Sequence, residues 1–268
     1  MRIGRFQAAD GVWQVEFDAA GARVLPPRLS GPGADPPLPA ARPLSEGRLL
    51  APVRPGKIVC IGRNYVAHAA ELGNTVPGRP LLFLKPGTAV VGPGDTILLP
   101  PDSQRVEHEA ELAVVIGRRA RHLDPHTALD AVLGYTCLND VTARDLQRSD
   151  TQFARGKGFD TFCPLGPWIE TELDPSDVRV TCAVNGTLRQ DGRTSLMAFD
   201  VATLLATISR VMTLEPGDVI ATGTPAGVGP LLQGDVVRVQ IEGIGVLENP
   251  VAEDPDVPRR APPISQGR

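Results

Sequence analysis

Residues 106–116 read VEHEAELAVVI and place a glutamate at every second position: Glu107, Glu109 and Glu111. Extended backbone sends alternate side chains to one face, so these three share a side, and His108, Ala110, Leu112, Val114 and Ile116 share the other. Carboxylates spaced this way stand roughly 6–7 Å apart and repel one another unless a cation sits among them. Two readings fit: the solvated face of an edge strand, or a site for a hard divalent cation, which takes oxygen ligands from a few carboxylates. Asp140 follows the apolar run GYTCLN and precedes a helix start. It is either a cap near Thr142 or a third ligand at a strand end. Two glutamates and one aspartate would leave about three octahedral positions open for substrate and water.

Three further stretches hold residue types that do chemistry. In residues 62–71 (GRNYVAHAAE), His68 and Glu71 are three apart and share a helix face. A carboxylate beside a histidine orients the ring and raises its basicity, as a general base requires; it is also a common surface pair. In residues 155–160 (RGKGFD), Lys157 stands between two glycines, which let backbone approach a ligand closely or make a plain charged loop. Residues 221–229 (ATGTPAGVG) are either an anion pocket lined by backbone N–H groups or a turn between strands. No Gly-Lys-Ser/Thr ends that segment, so it is not a phosphate loop of the Walker type, and the dinucleotide fingerprint and the Gly-x-Ser-x-Gly elbow are absent too. Among 27 basic residues only three are lysine: Lys57, Lys85 and Lys157. Where arginine serves for charge in general, each remaining lysine is a candidate for chemistry that needs a compact ammonium.

These residues need elements to position them. Stretches 3–7 and 12–17 flank Ala9-Asp10-Gly11 and predict a hairpin. Residues 25–47, rich in Pro, Gly and Ala, predict a linker. Strands are expected at 57–62, 81–84, 96–99, 106–116, 134–138, 178–184, 187–190, 218–222 and 236–241, with Asn185-Gly186 turning one hairpin. Helices are expected at 66–72, 127–133, 142–147 and, on the strength of apolar residues at 201, 204, 205, 208, 211 and 212, at 199–212. Strands outnumber helices without alternating with them, which favours a β-rich α+β body. The division expected is a small β-rich N-terminal part with its linker at 1–50, the body at 51–252, and a disordered tail at 253–268.

Composition excludes several function classes. The chain of 268 residues is 42% hydrophobic and can bury a core. A net charge of −4 with scattered basic residues argues against nucleic-acid binding. No run of 18 apolar residues predicts a membrane span, and the start has no secretory h-region. Cys60, Cys137, Cys163 and Cys182 form no C-x-x-C pair and read as buried free thiols of a cytoplasmic protein.

Taken together, KIVCIGRNYVAHAAELG, LLFLKP, GPGDTILLP, VEHEAELAVVIG, GYTCLNDVTARDLQ, ARGKGFDTFCPLGPW, VNGTLRQDGRTSLM and LEPGDVIATGTPAGVG resemble the fumarylacetoacetate hydrolase superfamily, in its order and over residues 50–250. The resemblance implies a mostly β fold, a rolled mixed sheet with a small N-terminal domain. It also implies a homodimer and one divalent cation per subunit, Mg²⁺ or Mn²⁺. It assigns Glu109, Glu111 and Asp140 as metal ligands and leaves Glu107 as a flanking acid. Arg144, Gln147 and Lys157 would contact the substrate's carboxylate and oxo groups, and Thr224 would line the same pocket. His68 and Glu71 would sit on a short lid helix and position a water. The implied activity is enolate chemistry on 2-oxo or 2-hydroxy-enoic acids: hydrolysis of acylpyruvates, isomerisation of 2-hydroxyhepta-2,4-diene-1,7-dioate, or decarboxylation of oxaloacetate. A non-catalytic binding protein on the same scaffold is the alternative of another class. Phe153 stands where many relatives carry Trp, and Gly87-Thr88-Ala89 where relatives often have a Ser/Thr-rich loop.

Overall fold

The structure, a computed structural model, describes residues 1–18, 21–24 and 43–257. The central sheet runs in the order Gly21–Val24, Gly11–Asp18, Arg2–Ala8, Cys163–Glu170, Val132–Asn139, Ala110–Ile116, Val219–Ala221, Ile58–Gly62 and Leu81–Lys85. Most neighbours are antiparallel, but Val219–Ala221 and Ile58–Gly62 run parallel, so the sheet is mixed. A second sheet, in the order Thr187–Arg193, Arg179–Val184, Val236–Ile241, Gly245–Glu253 and Ile97–Leu99, stacks against it. A small third sheet joins Thr142–Ala143, Val106–His108 and Gly229–Pro230. The fold is mostly β with mixed sheets, as the sequence predicted, and the described residues form no closed barrel.

The strand Ala110–Ile116 is the middle of the molecule. Leu112, Val114 and Ile116 point into the core between the sheets, with Val180, Val239 and Leu204. Ala113 and Val115 point the other way, into a second cluster with Ile58, Cys60 and Leu165. A strand covered on both faces reads as a continuous apolar run, and every residue in it is buried. The N-terminal strands bring a third cluster of Phe6, Val15 and Phe17, joined to the body by Phe17 against Trp168, ring centroids 5.7 Å apart.

Several expected elements need correction. The strand over 106–116 is two strands, Val106–His108 and Ala110–Ile116, with Glu109 at the break. The glutamate face is not a solvated edge: Glu107, Glu109 and Glu111 are 1%, 4% and 1% exposed. The helix expected at 127–133 is one 3-10 turn, Ala128–Ala131, because Val132 already pairs with Ile116. The helix expected at 142–147 starts later, at Arg144, since Thr142 and Ala143 pair with Glu107 and Val106. The helix expected at 199–212 is Val201–Val211: the Asp200 carboxylate accepts from the Thr203 N–H at 2.8 Å and caps it. Val211, expected on its apolar face, is exposed. The expected linker lies outside the described residues at 25–42; its end forms the turn Leu44–Glu46 and begins the strand Gly47–Leu50, which pairs with Arg2–Ala8. The expected tail lies outside them from 258 onward, while Glu253 ends a strand and pairs with Leu99. The hairpin at Asn185-Gly186 forms, both residues having positive φ. All four cysteines are buried and free, and burial pushes the Cys137, Cys163 and Cys182 thiols up to about 12.

Candidate active site

Strand register builds the site. Ala110 pairs with Asn139, so the start of Ala110–Ile116 lies beside the end of Val132–Asn139. Asp140, one residue past that end, donates its N–H to the Glu109 carbonyl at 2.8 Å. The Glu109 N–H in turn donates to Asn139 Oδ1 at 2.9 Å, which fixes the break between the two strands. Glu109, Glu111 and Asp140 thereby turn one carboxylate oxygen each to a common centre, the three atoms lying within 4.8 Å of one another. Glu107 stays apart: its carboxylate accepts from Arg144 Nε at 2.6 Å and from Arg105. Thr142, near which Asp140 was a candidate cap, instead donates its hydroxyl to the Asp140 carbonyl at 2.8 Å.

The cluster is buried and tightly charge-balanced. Lys157 Nζ lies 2.8 Å from Glu109 and 2.6 Å from Asp140. Lys85, which the sequence singled out only for its rarity, donates to the other Asp140 oxygen at 2.7 Å and to the Val141 carbonyl. Arg144 engages Glu107, Glu109 and Gln147, one through each guanidinium nitrogen. Burial works to raise the Glu109 carboxyl, but Lys157 and Arg144 beside it hold it well below the usual range. Burial works to lower Lys157, and Asp140 with Glu109 outweighs it and raises the ammonium. Glu111 differs. Among the described residues it accepts only the Gly223 N–H, at 2.7 Å, and pairs with no cation. Burial, then Asp140 and Glu109, push its carboxyl well above the usual range. The buried Tyr65 hydroxyl, within the field of Glu111, has no hydrogen-bond partner among the described residues. An all-oxygen, three-carboxylate centre with one ligand short of positive charge fits a hard divalent cation.

The cluster opens into a cavity of about 300 Å³, whose walls include His68, Gln147, Phe153 and Thr224. His68 Nδ1 lies 3.3 Å from Glu71, whose carboxylate accepts the Gly227 N–H at 3.0 Å. A carboxylate only accepts, so Nδ1 is the nitrogen that donates to it and Nε2 is the one left for other partners. Backbone amides of the segment 221–229 thus do bind anions, but these are the chain's own Glu111 and Glu71. Thr224 donates its hydroxyl to the Ala110 carbonyl and accepts from Gln190 Nε2 at 2.7 Å. Gln190, buried and 34 residues from Thr224, was not legible as a site residue, nor were Arg63 and Asn64. The glycines beside Lys157 serve a different purpose from the one expected. A Cβ on Gly156 would meet Gln147 N at 2.9 Å, so Gly156 lets the helices Ala154–Lys157 and Arg144–Ser149 touch. Phe153 packs edge-on against Phe83, with centroids 5.5 Å apart, and Lys157 Nζ lies 5.1 Å from the Phe83 ring centroid.

Comparison with known proteins agrees with this geometry. Residues 57–252 match the family described as fumarylacetoacetate (FAA) hydrolase C-terminal. A solved 5-carboxymethyl-2-hydroxymuconate delta-isomerase from Mycobacterium smegmatis is 49% identical, with a TM-score of 0.84 over 95% of this chain and 99% of its own. A solved 2-hydroxyhepta-2,4-diene-1,7-dioate isomerase from Mycobacterium marinum is 47% identical, with a TM-score of 0.85 over 95% and 99%. The human mitochondrial oxaloacetate tautomerase FAHD2A is 46% identical over 222 residues, 78% of this chain and 71% of its own. The chain belongs to the fumarylacetoacetate hydrolase family, whose members are hydrolases, isomerases or decarboxylases.

Proposed function

We propose that the protein is a divalent-cation-dependent enzyme that turns 2-oxo or 2-hydroxy-enoic acids over through an enolate. The observation that carries this is the buried Glu109–Glu111–Asp140 cluster beside Lys157 and His68 in one cavity. Glu109, Glu111 and Asp140 would hold one Mg²⁺ or Mn²⁺, which supplies Lewis-acid stabilisation of negative charge on the 2-oxo oxygen. Lys157 adds an ammonium where that charge grows, in a site where water screens little. Arg144 and Gln147 line the wall for the carboxylate, and Thr224 offers a remaining lone pair to a donor on the substrate. His68, polarised by Glu71, takes a proton at Nε2. If that proton comes from water, the result is hydrolysis of an acylpyruvate-like carbon–carbon bond. If it comes from carbon and returns elsewhere, the result is isomerisation, a reading favoured by the names of the relatives. Decarboxylation abstracts no proton: loss of CO₂ leaves the enolate, which takes up a proton at C3 from solvent.

The N-terminal strands up to residue 50 are an accessory edge to a catalytic body at 51–252, and the working assembly in the cytoplasm is a homodimer. No described helix is long and apolar enough to cross a membrane. The deciding experiment assays acetylpyruvate, 2-hydroxyhepta-2,4-dienedioate and oxaloacetate with Mg²⁺ and with chelator. Turnover of at least one, lost with chelator, is expected; no turnover of any would favour a binding protein on the same scaffold.

A further inference from the structure

Most cations near the cavity are spent on the protein's own acids. Lys157 and Arg144 hold Glu109, Lys85 holds Asp140, and Arg155 pairs outside with Asp150. Two arginines break the pattern. Arg63 and Arg148 line the same cavity, and neither pairs with an acid among the described residues. Arg63 follows the strand Ile58–Gly62, which delivers it to the cavity wall. Its backbone is left-handed, with φ +59°, a conformation a non-glycine residue keeps only when its surroundings impose it. The imposing residue is Asn64, 1% exposed. Its side chain donates to the Thr222 carbonyl at 2.7 Å and the Phe199 carbonyl at 3.0 Å, and accepts the Phe199 N–H at 2.9 Å. Arg148 lies four residues after Arg144 on the helix Arg144–Ser149, so it shares the face that Arg144 turns to the site. Leu72, Phe83 and Phe153 give the cavity an apolar wall suited to a carbon chain.

We propose that Arg63 and Arg148 form a second anion subsite, which holds the distal carboxylate of a 2-oxo diacid while the acidic cluster and Lys157 engage its 2-oxo end. This rests on the 2-oxo acid reading above and adds a selectivity: a diacid over a monoacid of equal length. Guanidinium groups with no partner of their own gain a charge-assisted contact on binding and lose none. Arg148 is exposed and screened, which limits the preference to roughly tenfold or somewhat more.

The test is calorimetric titration of the Mg²⁺-supplemented protein with 2-oxoadipate and 2-oxohexanoate, which share a carbon chain and differ in the distal carboxylate. The shorter pair 2-oxoglutarate and 2-oxopentanoate repeats it. The diacids are expected to bind at least about tenfold more tightly. Arg63→Gln and Arg148→Gln should each erase most of that preference while 2-oxohexanoate binds as before, which also reports that the variants fold. Equal binding of diacid and monoacid would overturn the subsite and leave the 2-oxo acid reading standing. An equal fall for both acids in the variants would mean general attraction of anions and would also overturn it. Binding of none of the acids would defeat the 2-oxo acid reading, and the subsite with it.

Discussion

Among the described residues Glu111 has only the Gly223 amide for a partner, and this makes it the most exacting residue of the cluster. Removing it takes away the carboxylate that most needs a cation, and leaves Glu109 and Asp140 still held by Lys157, Lys85 and Arg144. Glu111→Ala should therefore abolish metal-dependent turnover while the circular dichroism spectrum stays that of the parent. Full activity of that variant in metal-buffered solution would remove Glu111 from the centre. Lys157 is constrained differently. Its ammonium fits between two carboxylates at 2.8 and 2.6 Å, 2% exposed, and a planar fork cannot occupy that space. Its charge matters most as an enolate forms, so Lys157→Arg should lose kcat by roughly 10²–10³-fold, with a smaller change in KM. Near-normal kcat would reduce Lys157 to a structural counter-ion. Both residues were legible in the sequence. Alternation brought Glu109 and Glu111 to one face, and the rarity of lysine marked Lys157. Their partners were not: Lys85 reaches Asp140 across 55 residues, and no local pattern encodes that meeting.

The helix Val66–Glu71 is too short to be stable alone, so tertiary contacts must hold it in place. Glu71 supplies one such contact through Gly227 and also orients His68. Glu71→Gln keeps the shape but loses the carboxylate charge that faces His68. Acylpyruvate hydrolysis consumes water and should fall by about 10²–10⁴-fold, while oxaloacetate decarboxylation, which does not, should fall far less. Equal losses would assign the pair to closing the site. Elements were legible where one face alone is buried, as in the helix Val201–Val211, or where a turn dictates its residues, as at Asn185-Gly186. The division at Glu109 was not, because both halves keep the same alternation and only the change of sheet partner separates them. Lys57 makes the same point. Its rarity marked it as a candidate for chemistry, yet it lies outside the cavity and pairs with the buried Asp218, whose carboxylate also accepts from Lys57 N and Glu215 N across sheet and loop. Lys57→Ala should lower stability by about 1–2 kcal/mol in denaturant titration, since a buried carboxylate loses its cation. An unchanged midpoint would show that the two backbone amides suffice.

At the scale of the whole molecule, the acidic centre lies where strands of the central sheet meet the small sheet, so its charge is felt by the fold itself. Burying Glu111 without a cation in contact costs free energy, and a bound divalent ion would return it. Saturation at about 100 times the dissociation constant stabilises by about 2.7 kcal/mol. For a chain of this length that raises Tm by roughly 5 °C or more. The pH dependence has a definite sign. The Glu111 carboxyl in the folded protein lies above its unfolded value, so its favourable contribution is present below the usual carboxylate range, about 4.3, and is lost as pH rises through the folded value. Glu109, held below its usual range, has the opposite sign: its contribution is present above the usual carboxylate range and is lost as pH falls, so above that range it adds no slope. Proton and cation therefore compete for Glu111, and the Tm shift caused by Mg²⁺ or Mn²⁺ should grow as pH rises. Glu111→Gln separates this from general ion effects. Without the carboxylate, the chelator-treated variant should melt at or above the parent, because a neutral amide replaces a buried charge. It should also show no metal-induced shift at any pH. Differential scanning calorimetry of both proteins, with Mn²⁺ and with chelator, measures all three quantities together. A full metal shift in Glu111→Gln would mean that the ion binds without Glu111, and none in the parent would mean that the cluster is balanced by Lys85, Arg144 and Lys157 alone and has no place for a cation.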